Sequence, residues 1–162
     1  MTRTPALSRE GAAALARAVQ ARGGRVVFTN GVYDLLHPGH VRYLAAARAC
    51  GDCLIVGVNS DPSAAVHKGA GRPLVPAEER AELIAALDAV DAAVIFDEPT
   101  PYELIAAVQP DVLVKGADWP ADQIVGRDLV EARGGRVVRI PVERGHSTSA
   151  LIDRIRASAT PS

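Results

Sequence analysis

What most constrains this chain is an alternation that runs its whole length: short apolar runs, each followed by a stretch with helical spacing. The runs are "RVVFTN", "CLIVGVN", "AAVIF", "DVLVKG" and "RVVRIPV". Each is short, bounded by turn residues and rich in β-branched side chains, and reads as a buried strand. The intervening stretches are "GHVRYLAAARACG", "PAEERAELIAALDAV", "TPYELIAAVQP" and "ADQIVGRDLVEARGG", with "STSALIDRIRAS" at the end. These read as helices. Pro76 suits a first helical turn that also carries acids. Thr100 can cap the next helix with Pro101 at its first position, and Pro110 closes it. A Gly-Gly pair ends the fourth, and Ser147 or Thr148 caps the last. Strands that alternate with helices imply parallel βαβ units. The expected fold is α/β: a doubly wound, five-stranded parallel sheet. The segment "SREGAAALARAVQARGG" predicts an additional N-terminal helix, so the expected division is a helical extension over 1–24 and a single domain over 25–158.

A chain of 162 residues, 48% hydrophobic and 23% charged, is long enough for one domain with a sizeable core. The net charge of −1 gives no general attraction to nucleic acid or to an acidic membrane, so neither is expected as a partner. No apolar run is long enough to span a bilayer. The N-terminus has polar and charged residues where a signal peptide needs an apolar core, which predicts a cytoplasmic protein. Cys50 and Cys53 have C-x-x-C spacing. The pair follows a helix rather than opening one, and no second pair exists to complete a zinc site, so both are read as structural.

Chemistry-bearing residues gather directly after the strands, the edge at which a parallel sheet binds ligands. After the first strand come Thr29, Asn30, Gly31, Asp34, His37 and His40. After the second come Asn59, Asp61 and the loop "HKGAGRP". After the fourth come Lys115, Asp118 and Trp119. After the fifth come Arg144, Gly145, His146, Ser147 and Thr148. The stretch "FTNGVYDLLHPGHVRYL" places His37 and His40 at the opening of a helix, where unpaired N–H groups attract anions. Two imidazoles there can donate to phosphate oxygens, and Gly39 allows close approach. The chain has neither the G-x-x-x-x-G-K-[ST] loop nor the G-x-G-x-x-G fingerprint, so its phosphate site is of another kind.

"FTNGVYDLLHPGH" resembles the H-x-G-H signature of the nucleotidyltransferase superfamily, and "GHSTSALIDRI" resembles its second, Ser/Thr-rich signature. The likeness continues through "CLIVGVNSD", "KGAGRPLVPAEERAELIAALDAVD", "TPYELIAAVQPDVLVKGADW" and "ARGGRVVRIPV", and covers roughly residues 25 to 157. Within the superfamily it is most similar to the heptose 1-phosphate adenylyltransferases. In many bacteria that transferase is the second half of a bifunctional kinase–transferase; here it is expected to stand alone. The resemblance implies a Rossmann-like nucleotidyltransferase domain. Its substrates would be ATP and a sugar 1-phosphate, with Mg²⁺ held mainly by substrate rather than by a dedicated protein cage. A homodimer is also implied. The alternatives are a cytidylyltransferase for a polyol phosphate such as glycerol 3-phosphate, and a non-catalytic nucleotide-binding module.

By the same resemblance, His37 and His40 contact the α- and β-phosphates, and Lys68 neutralises phosphate charge; these are the expected catalytic residues. Thr29, Asn30, Gly31 and Gly39 are expected to hold the triphosphate. Lys115, Asp118 and Trp119 fall where ribose and base bind, and Ser147 and Thr148 reach the distal phosphates. Asp34, Asn59 and Arg80 are expected on the acceptor side. Gly69 and Gly71 predict a loop from Ser63 to Pro73 that closes over ligand. His67 and His146 receive no role. The tail after Ala157 is expected to fray.

Overall fold

The computed structural model describes residues 6–143 and 145–159, so Arg144 and the ends of the chain lie outside the described residues. Five parallel strands form one sheet: β1 (Val26–Gly31), β2 (Cys53–Asn59), β3 (Ala92–Phe96), β4 (Val112–Gly116) and β5 (Arg136–Ile140). Their order is β3-β2-β1-β4-β5, which is the doubly wound arrangement read from the sequence. The chain winds outward from β1 to β3, then returns to pair β4 with the other side of β1. The switch point therefore lies between the C-terminal ends of β1 and β4, where a crevice opens.

The strands are apolar on both faces because both faces are covered. Phe28, Ile55 and Val94 face one layer, formed by α1 (Arg9–Ala21), α5 (Tyr102–Val108) and α6 (Arg127–Ala132). Val27, Leu54 and Val56 face the other, formed by α2 (Pro38–Arg48) and α4 (Ala77–Ala86). The N-terminal helix is part of this core, with Ala12, Ala16 and Val19 buried. Small residues at that spacing let α1 lie close to the sheet. Ser8 caps it, accepting from the N–H of Gly11 at 3.0 Å. Just before it, the N–H of Leu7 donates to the Ala93 carbonyl at 2.8 Å and extends pairing beyond the β3 edge.

Some local readings change. Residues Asp61–Lys68 form a helix, α3, so the predicted Ser63–Pro73 loop is helical in its first half. Ser60 caps α3 by accepting from the N–H of Ser63, and Pro62 sits in its first turn, where its missing N–H costs nothing. The stretch "ADQIVGRDLVEARGG" is not one helix. It forms a single 3-10 turn at Ala121–Gln123, then breaks at Gly126 before α6. Gly126 has φ of +87°, and a Cβ there would come within 2.6 Å of Ile105 Cδ1, so only glycine fits the break. Pro101 is the cap of α5 rather than its first helical residue, and Pro76 caps α4. The last helix, α7 (Thr148–Ser158), is capped by Ser147, and most of the tail expected to fray after Ala157 lies outside the described residues. Cys50 and Cys53 are both free thiols, and burial raises Cys53 to about 11. Among the described residues no helix is long and apolar enough to cross a membrane.

Candidate active site

The turn after β1 brings the histidines to the crevice. Tyr33 adopts a positive φ of 52°, a conformation that ordinary residues rarely hold, and turns the chain back toward α2. Its buried ring meets His40 edge-on at 5.5 Å. Gly31 makes room for that ring, since a Cβ there would lie 2.9 Å from it. His37 is the cap of α2, with extended backbone, and Pro38 occupies the first turn.

The His37 main-chain N–H donates to Nδ1 of His40 at 3.3 Å. That bond makes Nδ1 an acceptor and leaves the proton of a neutral His40 on Nε2. Burial lowers the pKa of His40 to about 4, helped by the charges of His37 and Lys68. His40 is thus a neutral imidazole with one fixed donor near pH 7. The His37 ring stacks on it, with centroids 3.8 Å apart and planes at 23°. Burial and the nearby His146 lower His37 as well. Its Nδ1 is buried without a hydrogen-bond partner. Gly39 is required here: a Cβ would lie 2.8 Å from the His37 ring and 3.0 Å from His146 Cβ.

Three hollows meet around Lys68, and His40 borders two of them. One of about 480 Å³ lies between α2 and α7 and is lined by His37, Gly39, His40, Lys68, Asp118 and Ser147, among others. Thr148 and His146 also border it. A second, of about 560 Å³, lies over the ends of β1, β2 and β4, bounded by Asn30, Gly31, Asn59, Lys68, Lys115 and Trp119. Between them a gap of about 130 Å³ is lined by Gly31, Asp34, His40, Lys68, Arg72 and Thr148. Lys68, the exposed last residue of α3, borders all three. A shallower hollow along α7, beside Leu151 and Ile155, holds none of the residues that the sequence singles out.

The expected site residues therefore divide. Most border the hollows, and Trp119 and Lys115 stand in the second one, apart from Asp118 in the first. Lys115 Nζ lies 5.0 Å from the Trp119 ring centre, and burial lowers its pKa against the opposing pull of Asp118. Thr29 is fully buried instead; its hydroxyl donates to the Val114 carbonyl at 2.9 Å and meets the Tyr43 hydroxyl. It locks β1 to β4 at the switch point.

Asp34 borders the gap, but its oxygens are engaged by Arg72 Nε at 2.8 Å and by the N–H groups of Leu74 and Val75 at 2.9 Å. Burial alone would raise its pKa, yet those donors hold it below the usual carboxylate range. Asp34 thus anchors the loop after α3. Arg80 is neither exposed nor paired with Glu78 or Glu79. It is fully buried and donates to the carbonyls of Val75, Val32 and Asn59 and to Asp61 Oδ1, at 2.7–2.8 Å. All but one of its N–H donors are so engaged. It binds together the ends of β1 and β2, the start of α3 and the entry to α4. Asn59 borders the second hollow while its amide donates to Ser63 Oγ at 2.9 Å.

Tyr33, Tyr43 and Arg72 shape the site although the sequence reading gave them no part. "GVYDLLH" and "HKGAGRP" held the signal only in that they flank the chosen residues. The His67 imidazole, on α3 rather than in a loop, bonds the Pro99 carbonyl at 2.6 Å and borders the second hollow.

The arrangement offers neutral donors, a helix N-terminus and a lysine around a gap joining two cavities. That suits a reaction between two phosphate-bearing molecules. Residues 28–159 match the family described as cytidylyltransferase-like. The chain is 52% identical over 147 residues to the bifunctional protein HldE of Geotalea uraniireducens, covering 91% of this chain and 30% of that protein. It is 51% identical over 152 residues to the HldE of Wolinella succinogenes, covering 94% and 31%. The chain thus spans under a third of the length of these curated relatives. Among solved structures, a lipopolysaccharide core biosynthesis protein from Thermoplasma volcanium superposes with a TM-score of 0.62 at 30% identity, covering 76% of this chain and all of that one. The H-P-G-H turn, the sheet order and these matches place the chain in the cytidylyltransferase-like nucleotidyltransferase family.

Proposed function

We propose that the protein is an adenylyltransferase that moves AMP from ATP to D-glycero-β-D-manno-heptose 1-phosphate and releases pyrophosphate. The observation that carries this reading is the meeting of two separate cavities at Lys68, with His40 lining the first of them and the gap that joins the two. One cavity suits the nucleotide, because it is lined by the N-termini of α2 and α7. The other suits a sugar phosphate, in place of the nucleotide groups expected at Asn30, Lys115 and Trp119: Asn30, Asn59 and Thr100 offer hydrogen bonds, and the Trp119 ring offers an apolar face. The choice of ATP and heptose draws on the resemblance noted from the sequence and on the HldE relatives. A protein that consumes ATP in this way works in the cytoplasm.

The phosphate oxygen of the acceptor forms a bond to the α-phosphorus as the bond from that phosphorus to the pyrophosphate oxygen breaks. The acceptor dianion is already nucleophilic, so no general base is needed. The chain's part is to align the reactants and neutralise charge. His40 donates from Nε2 to an α-phosphate oxygen, and His37 contributes beside it. Lys68 faces both reactants across the gap. The N-terminus of α7, with the Ser147 hydroxyl, receives the departing pyrophosphate.

Mg²⁺ belongs to this proposal, where it offsets the charge of the triphosphate. Among the described residues no cluster of three His, Cys, Asp or Glu side chains could hold a metal ion. Glu143 is paired with Arg42 at 2.7 Å, which leaves Asp118 as the available carboxylate of the nucleotide cavity. The substrate phosphates would supply most of the ligands. A homodimer also remains a proposal, decided by light scattering.

The cytidylyltransferase reading keeps some support from the family description. Pyrophosphate release from each pairing of ATP or CTP with heptose 1-phosphate or glycerol 3-phosphate separates the two. Fast release only with ATP and the heptose phosphate is expected. Preference for CTP and glycerol 3-phosphate overturns the proposal, and binding without any release points to a non-catalytic module.

A further inference from the structure

The structure carries a third imidazole at the phosphate site. His146 precedes the cap of α7 and borders the same cavity as His37, His40, Lys68 and Asp118. Its ring lies 5.9 Å from that of His37, with planes at 18°. His37 in turn stacks on His40. The rings form a row of nearly parallel imidazoles from the N-terminus of α2 to that of α7. The row depends on close backbone approach, since any side chain at position 39 would strike both His37 and the His146 Cβ. Thr148 fixes the distance between the two helices by donating to the Leu35 carbonyl at 3.0 Å.

We infer that His146 is a further phosphate-binding donor, which grips the β/γ end of the nucleotide and the pyrophosphate that leaves. This rests on the nucleotidyl-transfer reading and extends it. N–H groups of an imidazole lie in the ring plane, so stacked rings present their donors side by side rather than toward each other. A row of such donors matches a row of phosphates. His146 stands at the α7 end of the row, beside the Ser147 hydroxyl and the helix N-terminus, which favours the distal phosphates over the α-phosphate. Burial, and after it the nearby His146, disfavours charge on His37, and an anion lying along the rings offsets that cost.

The test is calorimetric binding of ATP, inorganic pyrophosphate and AMP to the full chain and to three variants. His146→Ala should weaken ATP and pyrophosphate about tenfold or more while AMP stays within about twofold. His146→Phe keeps a ring to stack on His37 but has no donor, and should lose as much as the alanine variant. His146→Asn should recover part of the loss. Wild-type binding of ATP and pyrophosphate by the alanine variant overturns the inference and leaves the proposed activity standing. So does a phenylalanine variant that binds like wild type, because the ring would then only position His37. An equal loss of AMP binding also overturns it. Failure of the unaltered protein to bind ATP removes both readings.

Discussion

The Thr148 hydroxyl donates to the main-chain carbonyl of Leu35 across 3.0 Å, joining residues 113 positions apart in the chain. The bond holds the N-terminus of α7 against the turn that leads into α2. An ion pair between Arg42 and Glu143 at 2.7 Å gives a second, more exposed tie. Thr148→Val removes the hydroxyl and keeps the shape. It should cost about 1 kcal/mol in urea unfolding. It should also lower turnover, because the two helix ends are no longer held in register. Thr148→Ser should stay close to wild type in both. A valine variant with full turnover would show that the tie does not set the site.

Arg80 organises the site from beneath. Arg80→Met leaves the carbonyls of Val32, Asn59 and Val75 without their donor. The expected loss is about 3–5 kcal/mol in chemical denaturation, the usual result of breaking a buried charged network. A stable Arg80→Met variant with a raised KM for the acceptor phosphate would contradict this and return Arg80 to direct substrate contact.

Lys68 is exposed at the junction of the hollows, where the proposed function gives its charge a part. Lys68→Ala should change stability by no more than about 0.5 kcal/mol. Turnover should fall about tenfold or more, as for loss of a charged hydrogen bond. Wild-type turnover in the steady-state assay would make it a solvated surface lysine.

Acid should destabilise the fold through His40. Its pKa is lowered from 6.5 to about 4 by burial and by the charges of His37 and Lys68. Between those values the unfolded chain takes up a proton that the folded chain refuses. Stability therefore declines as pH falls through 6.5, and the decline from this group is complete below about 4. His40→Asn should flatten part of that slope in melts between pH 7 and 4. An unchanged slope would mean that His40 is not held neutral.

Much of this was legible in the sequence because the physics was local. Two-sided burial writes continuous apolar runs, so all five strands were readable. The H-P-G-H turn was readable because Pro38 suits a first helical turn and sets both histidines at the helix start. Helix α3 was missed although Ser60, Asp61 and Pro62 are good opening residues, because Asp-Pro also reads as a turn and the helix is only 8 residues long before Gly69. The break at Gly126 depends on how near Ile105 lies, which spacing does not reveal. Arg80 was expected on the acceptor side, but its partners are Asp61 and carbonyls on separate segments, which spacing does not reveal. Thr29 and Asp34 were legible as site neighbours, but their bonds to Val114 and to residues 72–75 exist only once the chain is folded.

The most direct test of the account is single-turnover formation of ADP-sugar by His37→Ala and His40→Ala beside a thermal melt of each. Donors fixed at a helix N-terminus stabilise charge on the α-phosphate oxygens without reorganising, and one such donor is worth roughly 3 kcal/mol, about a hundredfold in rate. Each variant should melt near wild type and lose about that factor, and His40→Asn should regain part of it by restoring an N–H. If both alanine variants fold normally and still form ADP-sugar within a few-fold of wild type, the histidines are not the donors and the proposed mechanism fails.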